Sequence, residues 1–81
     1  MRTHYKHIYF EDHSMEKPIT RTFMCREVDG DDELGVVKWH YGWRQYCFFP
    51  TSSRRFPAVY LANIADVIAQ LEEERKEARN R

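Results

Sequence analysis

Beyond Phe56-Pro57 the spacing of apolar residues changes, and that change constrains the fold more than any single motif does. Leu61, Ile64, Ile68 and Leu71 recur at intervals of three and four, with Val67 beside them, while Asp66, Glu72, Glu73, Lys76 and Arg79 fall on other sides. Such spacing predicts a helix over about 58–77 that buries one stripe. Past Leu71 the stretch EEERKEARNR carries no large apolar residue. Its turns are expected to be solvated and frayed, with Glu72 facing Lys76 and Glu77 facing Arg81 one turn on. Before Pro57 the pattern is different. Runs rich in aromatic and β-branched residues, at about 3–10, 22–28, 34–39 and 43–49, read as strands. Pro18 and its polar neighbours break the first connection. Asp29-Gly30 tolerates the positive φ of a hairpin turn, and Pro50-Thr51-Ser52-Ser53 ends the last strand because proline cannot donate to a ladder. The expected fold is therefore α+β: a small four-stranded, mostly antiparallel meander with one C-terminal helix packed on one face.

At 81 residues the chain suits one domain, burying roughly 60 to 65% of the surface of its unfolded form. Thirteen Lys and Arg balance thirteen Asp and Glu, so no net field draws in a polyanion or an anionic membrane from a distance. The 42% hydrophobic and 15% aromatic content is that of a folded domain rather than a disordered tail. No apolar run is long enough to span a bilayer, and MRTHYKHIYFED is too polar for a signal peptide. A cytoplasmic protein without membrane contact is the expectation. Cys25 and Cys47 are two by count, but without an export signal they read as reduced, largely buried thiols.

The link His40-Tyr41-Gly42 sets which side chains share a face. A three-residue loop with Gly42 in the left-handed region places Trp39 opposite Trp43. Val37, Trp39, Trp43, Gln45, Cys47 and Phe49 then project one way, toward the expected core. Val36, Lys38, Arg44, Tyr46 and Phe48 project the other way. The assignment depends on loop length, since a shift of one residue moves a whole set to the opposite face.

Enzyme chemistry finds little support. Cys25 and Cys47 sit in apolar strands away from any oriented base, whereas reactive thiols need electropositive, partly exposed settings. Three glycines do not make a phosphate-cradling loop. His4, His7 and His13 crowd the N-terminus, but positions 4 and 7 of a strand point to opposite faces. No CxxC or HxxxH core is present, and the acidic tip Asp29, Asp31, Asp32, Glu33 lacks the ligand spacing of a calcium loop. Neither a metal nor a cofactor is expected.

The candidate binding residues are Lys38, Tyr41, Arg44, Tyr46 and Phe48, with Arg54 and Arg55 at the edge. Tyr, Trp and Arg concentrate at protein-binding hot spots, and one helix covers only one sheet face. That uncovered face would serve a host protein, a phage protein or a second copy of the chain. The same rings and cations also fit a stacking platform flanked by phosphate contacts, so a nucleic-acid-binding accessory is the alternative.

Leu34-Gly35-x-Val37-x-Trp39, followed by Trp43-Arg44-Gln45-Tyr46-x-Phe48-Phe49-Pro50 and then Phe56, Leu61, Ile64 and Ile68, resembles a group of short uncharacterised proteins encoded by bacteriophages and prophages. The resemblance covers about residues 22 to 71 and implies a bacterial or phage origin. In that setting, a small binding protein would inhibit or redirect a host or defence protein.

Overall fold

The computed structural model describes residues 1–16, 19–51 and 55–79. Arg54, the break at Pro18, the turn residues Ser52 and Ser53, and the Glu77–Arg81 pairing expected from the sequence lie outside the described residues. Strands β1 (Ile8–Asp12), β2 (Phe23–Glu27), β3 (Glu33–His40) and β4 (Gln45–Pro50) pair antiparallel in chain order in one sheet, and helix α1 (Ala58–Arg79) packs on one side of it. The α+β meander expected from the sequence is the fold observed.

The first strand starts at Ile8 rather than at Thr3, because residues 3–7 turn back as a hook. Tyr5 N–H donates to the Ile8 carbonyl at 3.0 Å and Phe10 N–H to the Thr3 carbonyl at 2.9 Å, while His4 bridges Tyr9. Tyr5 explains the hook. In a straight strand, Tyr5 and Phe10 would point to opposite faces. The hook instead brings the Tyr5 ring edge-on to Phe10 and lets its hydroxyl donate to Asp66 of α1 at 2.6 Å. It also lays backbone along the outer edge of β1, an edge that would otherwise be open to strand addition.

Gly30 (φ 85°) and Asp31 (φ 57°) occupy the left-handed region in the turn between β2 and β3, as the Asp-Gly signal suggests. Pairing then slips by one residue: Cys25 opposes Gly35 but Arg26 opposes Glu33. Leu34 is the extra residue of this bulge, and its side chain belongs to the core.

The β3–β4 hairpin corrects the sequence reading. His40 pairs with Gln45, so the loop is the four residues Tyr41–Arg44, and the left-handed position falls on Arg44 (φ 53°), not on Gly42. His40 Nδ1 accepts the Trp43 N–H at 2.9 Å inside this loop. The faces of β3 are as expected, but those of β4 are exchanged. Tyr46, opposite Trp39, and Phe48, opposite Val37, face the helix, whereas Gln45, Cys47 and Phe49 face away. Trp43 is in the loop and 69% exposed rather than in the core.

The core consists of Ile8, Phe10, Phe23, Cys25, Leu34, Val37 and Tyr46 from the sheet side, Tyr5 from the hook, and Ile64, Val67 and Leu71 from α1. The buried stripe of the helix is rotated from the expected one: Tyr60 and Ile68 flank it half-buried, and Leu61 is exposed. Tyr60 takes the inner place because its hydroxyl reaches Glu27 Oε2 at 2.9 Å, which leaves its ring free to pack. Polar contacts also hold α1 along its length. Tyr46 N–H donates to Glu72 Oε1 at 2.6 Å, Arg21 reaches Glu74 at 3.0 Å, and the Arg75 guanidinium lies 4.0 Å from the centre of the Trp39 ring. The helix past Leu71 is thus engaged with the sheet rather than merely solvated.

Candidate functional site

With α1 on one side, the other side of the sheet carries alternate residues of all four strands. The pairing places Tyr9 beside Arg26, and Glu11, Met24, Val36 and Phe49 in a row across the sheet. Lys38 lies beside Cys47, and His40 beside Gln45. Each of these side chains is exposed or half-buried, and α1 covers none of them.

This open face divides into two halves with different electrostatics. On β1 and β2 the charges satisfy one another. Arg26 Nε donates to Glu11 Oε1 at 2.6 Å, Arg26 Nη2 reaches Glu33 at 3.4 Å, and Arg26 Nη1 donates to the Asp31 carbonyl at 3.1 Å. The hydrogen bond from Arg26 holds the Glu11 carboxyl below the usual carboxylate range. Tyr9 O–H donates to Asp31 at 2.6 Å, and that bond pushes the phenol pKa up. This half presents a neutralised, hydrogen-bonded surface.

On β3 and β4 the face is aromatic and cationic. His40 is stacked against Trp43 at 4.7 Å between ring centres and lies nearly parallel to Phe49 at 6.0 Å. Lys38 Nζ sits 4.7 Å from the centre of the Phe49 ring and makes no ion pair among the described residues. The order Trp43, His40, Phe49, Lys38 is thus a continuous run of rings ended by a cation. It follows from the loop geometry: left-handed Arg44 closes the turn so that Trp43 lies back over His40, and alternation places Phe49 on the same side.

The residues singled out from the sequence do not come together. Lys38 lies on the open face, while Tyr41 and Arg44 are exposed at the hairpin tip. Tyr46 is 5% exposed on the helix side, its hydroxyl accepting the Arg21 N–H at 3.0 Å and burial pushing its phenol pKa up. Phe48 packs edge-on to Phe56 at 5.5 Å, also on the helix side. Tyr46 and Phe48 therefore support the core and cannot form the outer face. Arg55 is exposed beyond β4. Sequence reasoning missed Trp43, His40, Phe49 and Met24 as surface residues. Alternation in FMCRE, where Phe23 and Cys25 are the apolar pair, was the available signal for Met24.

For chemistry, the arrangement offers stacking, cation–π and apolar contact. Cys47 is half-buried on the open face, and Cys25 is fully buried in the core with burial pushing its thiol pKa up to about 12. The expectation of two largely buried thiols therefore holds for Cys25 and not for Cys47. Among the described residues, no three His, Cys, Asp or Glu side chains gather where they could hold a metal ion, and no helix is long and apolar enough to cross a membrane. No family model matches the chain, and no curated protein or solved structure matches it either.

Proposed function

We propose that the chain is a small non-enzymatic binding module that docks a partner protein on the open face of its sheet. The observation that carries this reading is the run Trp43, His40, Phe49 and Lys38, four side chains stacked in sequence on a surface the helix leaves uncovered. Exposed tryptophan beside aromatic and aliphatic groups is the composition of an interface centre, and Met24, Val36 and Cys47 extend it as an adaptable apolar floor. The paired charges of Arg26, Glu11 and Glu33 supply a polar rim. The resemblance to short phage and prophage proteins supports a host or defence protein as the partner.

The nucleic-acid alternative has less support from this face. A stacking platform needs cations to track a phosphate backbone, and here Arg26 is committed to two carboxylates, which leaves Lys38 as the cation of the aromatic half. The test compares wild type with the double variant Trp43→Ser/Phe49→Ser in affinity capture from bacterial lysate with and without nuclease treatment. A protein retained by wild type and lost by the variant, with the thermal melt of the variant little changed, is the expected result. Retention by both chains, or a capture that disappears with nuclease, overturns it.

A further inference from the structure

On the helix side of the hairpin tip, a groove of about 540 Å³ runs between Tyr41 and Arg44 of the β3–β4 loop, Ile19 and Thr20 of the β1–β2 connection, and the last turns of α1. Trp39, Arg75 and Arg79 line it as well, and among the described residues no carboxylate does. We propose that this groove takes an acidic segment of a partner protein, carrying two or three carboxylates next to an aliphatic side chain. That the segment belongs to a protein rests on the reading given under Proposed function.

The arginines of the groove also line the adjoining surface that carries Glu72 and Glu73, without closing an ion pair to either. Arg21 and Arg26 each bind two carboxylates, whereas Arg44, Arg75 and Arg79 make no ion pair among the described residues. Arg75 is nevertheless held in place, because its guanidinium lies over the Trp39 ring at 4.0 Å, an interaction that occupies its flat face and leaves its N–H groups free. Arg44 is placed by its left-handed backbone, φ 53°, at the close of the loop. Three such guanidinium groups around one groove are planar forks with donors to spare, which match carboxylate oxygens in pairs. The rim adds apolar surface: Ile19 is 94% exposed and Tyr41 79% exposed, both facing this groove.

The surroundings favour a short anionic segment over a nucleic acid. Adjoining surfaces carry Glu72 and Glu73 on one side and Asp12 and Glu74 on the other. A phosphate backbone continuing past the three arginines would run onto these carboxylates, while a ligand whose charge ends after two or three groups does not. The Trp39 ring is also covered by Arg75 on one face, so Tyr41 is the ring left open for a base to stack on.

The test uses the purified full chain and a fluorescein-labelled, C-terminally amidated peptide of two glutamates followed by two leucines, with binding read by anisotropy at low salt. The same peptide with glutamine for glutamate, and an oligonucleotide of eight thymidines, serve as the other arms. The glutamate peptide is expected to bind at least about tenfold more tightly than either, since bonds to charged groups are the strong ones. The double variant Arg44→Asn/Arg79→Gln is expected to lose at least about tenfold in affinity, asparagine being tolerated at the left-handed position. Trp43→Ser/Phe49→Ser should bind the peptide as wild type does, which separates this site from the open face. Equal binding of the glutamine peptide, tighter binding of the oligonucleotide, or undiminished binding by the arginine variant overturns the proposal.

Discussion

The Phe48 ring occupies the space that a side chain on Gly35 would need: a β-carbon there would lie 2.5 Å from Phe48 Cζ and 2.6 Å from the Phe49 carbonyl oxygen. Gly35 adopts an ordinary extended backbone, so this is a demand of packing and not of conformation. Phe48 can lie on the helix side, against Phe56, only because the neighbouring strand carries no side chain at this point. Gly35→Ala is expected to destabilise the fold by about 1–3 kcal/mol, the cost of overpacking a core. Chemical denaturation checks this. Adding Phe48→Ala should not restore the loss, because the carbonyl of Phe49 remains in the way and a further core ring has gone.

Trp43 and Tyr46 have opposite roles although both are large aromatics within four positions. Trp43→Ala should change stability by less than about 1 kcal/mol, as for exposed sites, and act mainly on partner binding. Tyr46→Ala should cost on the order of 3 to 5 kcal/mol, a large share of what so small a domain has. It removes a buried ring and leaves the Arg21 N–H without its acceptor. A thermal melt of each variant is sufficient, and an unfolded Trp43→Ala beside a folded Tyr46→Ala would mean that the hairpin faces are the reverse of those described.

Much of the fold was legible because it rests on repeated patterns. The helical spacing after Pro57 and the Asp-Gly turn each involve several residues that agree. The faces of β4 were not legible because they turn on one residue. Gly42 is the natural occupant of a left-handed position, yet Arg44 takes it, and a loop of four residues instead of three moves Tyr46, Phe48 and Phe49 to the opposite side from that expected. The candidate site inherited that error. Lys38 survived as an outward residue because the faces of β3 do not depend on the loop. The hook at Tyr5 and the rotated helix stripe were hidden for another reason: both are set by partners distant in sequence, Asp66 for Tyr5 and Glu27 for Tyr60, which no local pattern announces.

The two thiols offer a direct check on the β4 faces. Cys47 lies half-buried on the open face, so it should react with a thiol reagent in the native protein. Cys25 is fully buried, and desolvation raises its pKa to about 12, with the charge of Glu27 adding to the effect; it should react only on unfolding. One fast and one slow equivalent are expected in a native titration, with Cys47→Ser removing the fast one. Two slow equivalents would place Cys47 in the core.

Asp12 links β1 to the connection before β2 and, through Arg21, to α1. Its carboxylate accepts the Ser14 N–H at 2.8 Å and Arg21 Nη2 at 2.7 Å, and Arg21 Nη1 in turn binds Glu74 at 3.0 Å. Hydrogen bonds from Ser14, and then from the Arg21 guanidinium, lower its pKa from 3.8 to about 2. The folded state therefore holds the Asp12 proton less readily than the unfolded chain does. Its contribution to stability is complete above the unfolded value near 3.8 and declines as pH falls through that window; below the folded value of about 2 it is lost. The side chain is half-exposed, so solvent keeps the effect modest. Asp12→Asn should lower the melting temperature slightly at neutral pH and flatten its fall between about pH 4 and pH 2, where wild type loses this term. If the variant and wild type decline in parallel through that window, the Asp12–Arg21 pair contributes nothing to the acid stability of the fold.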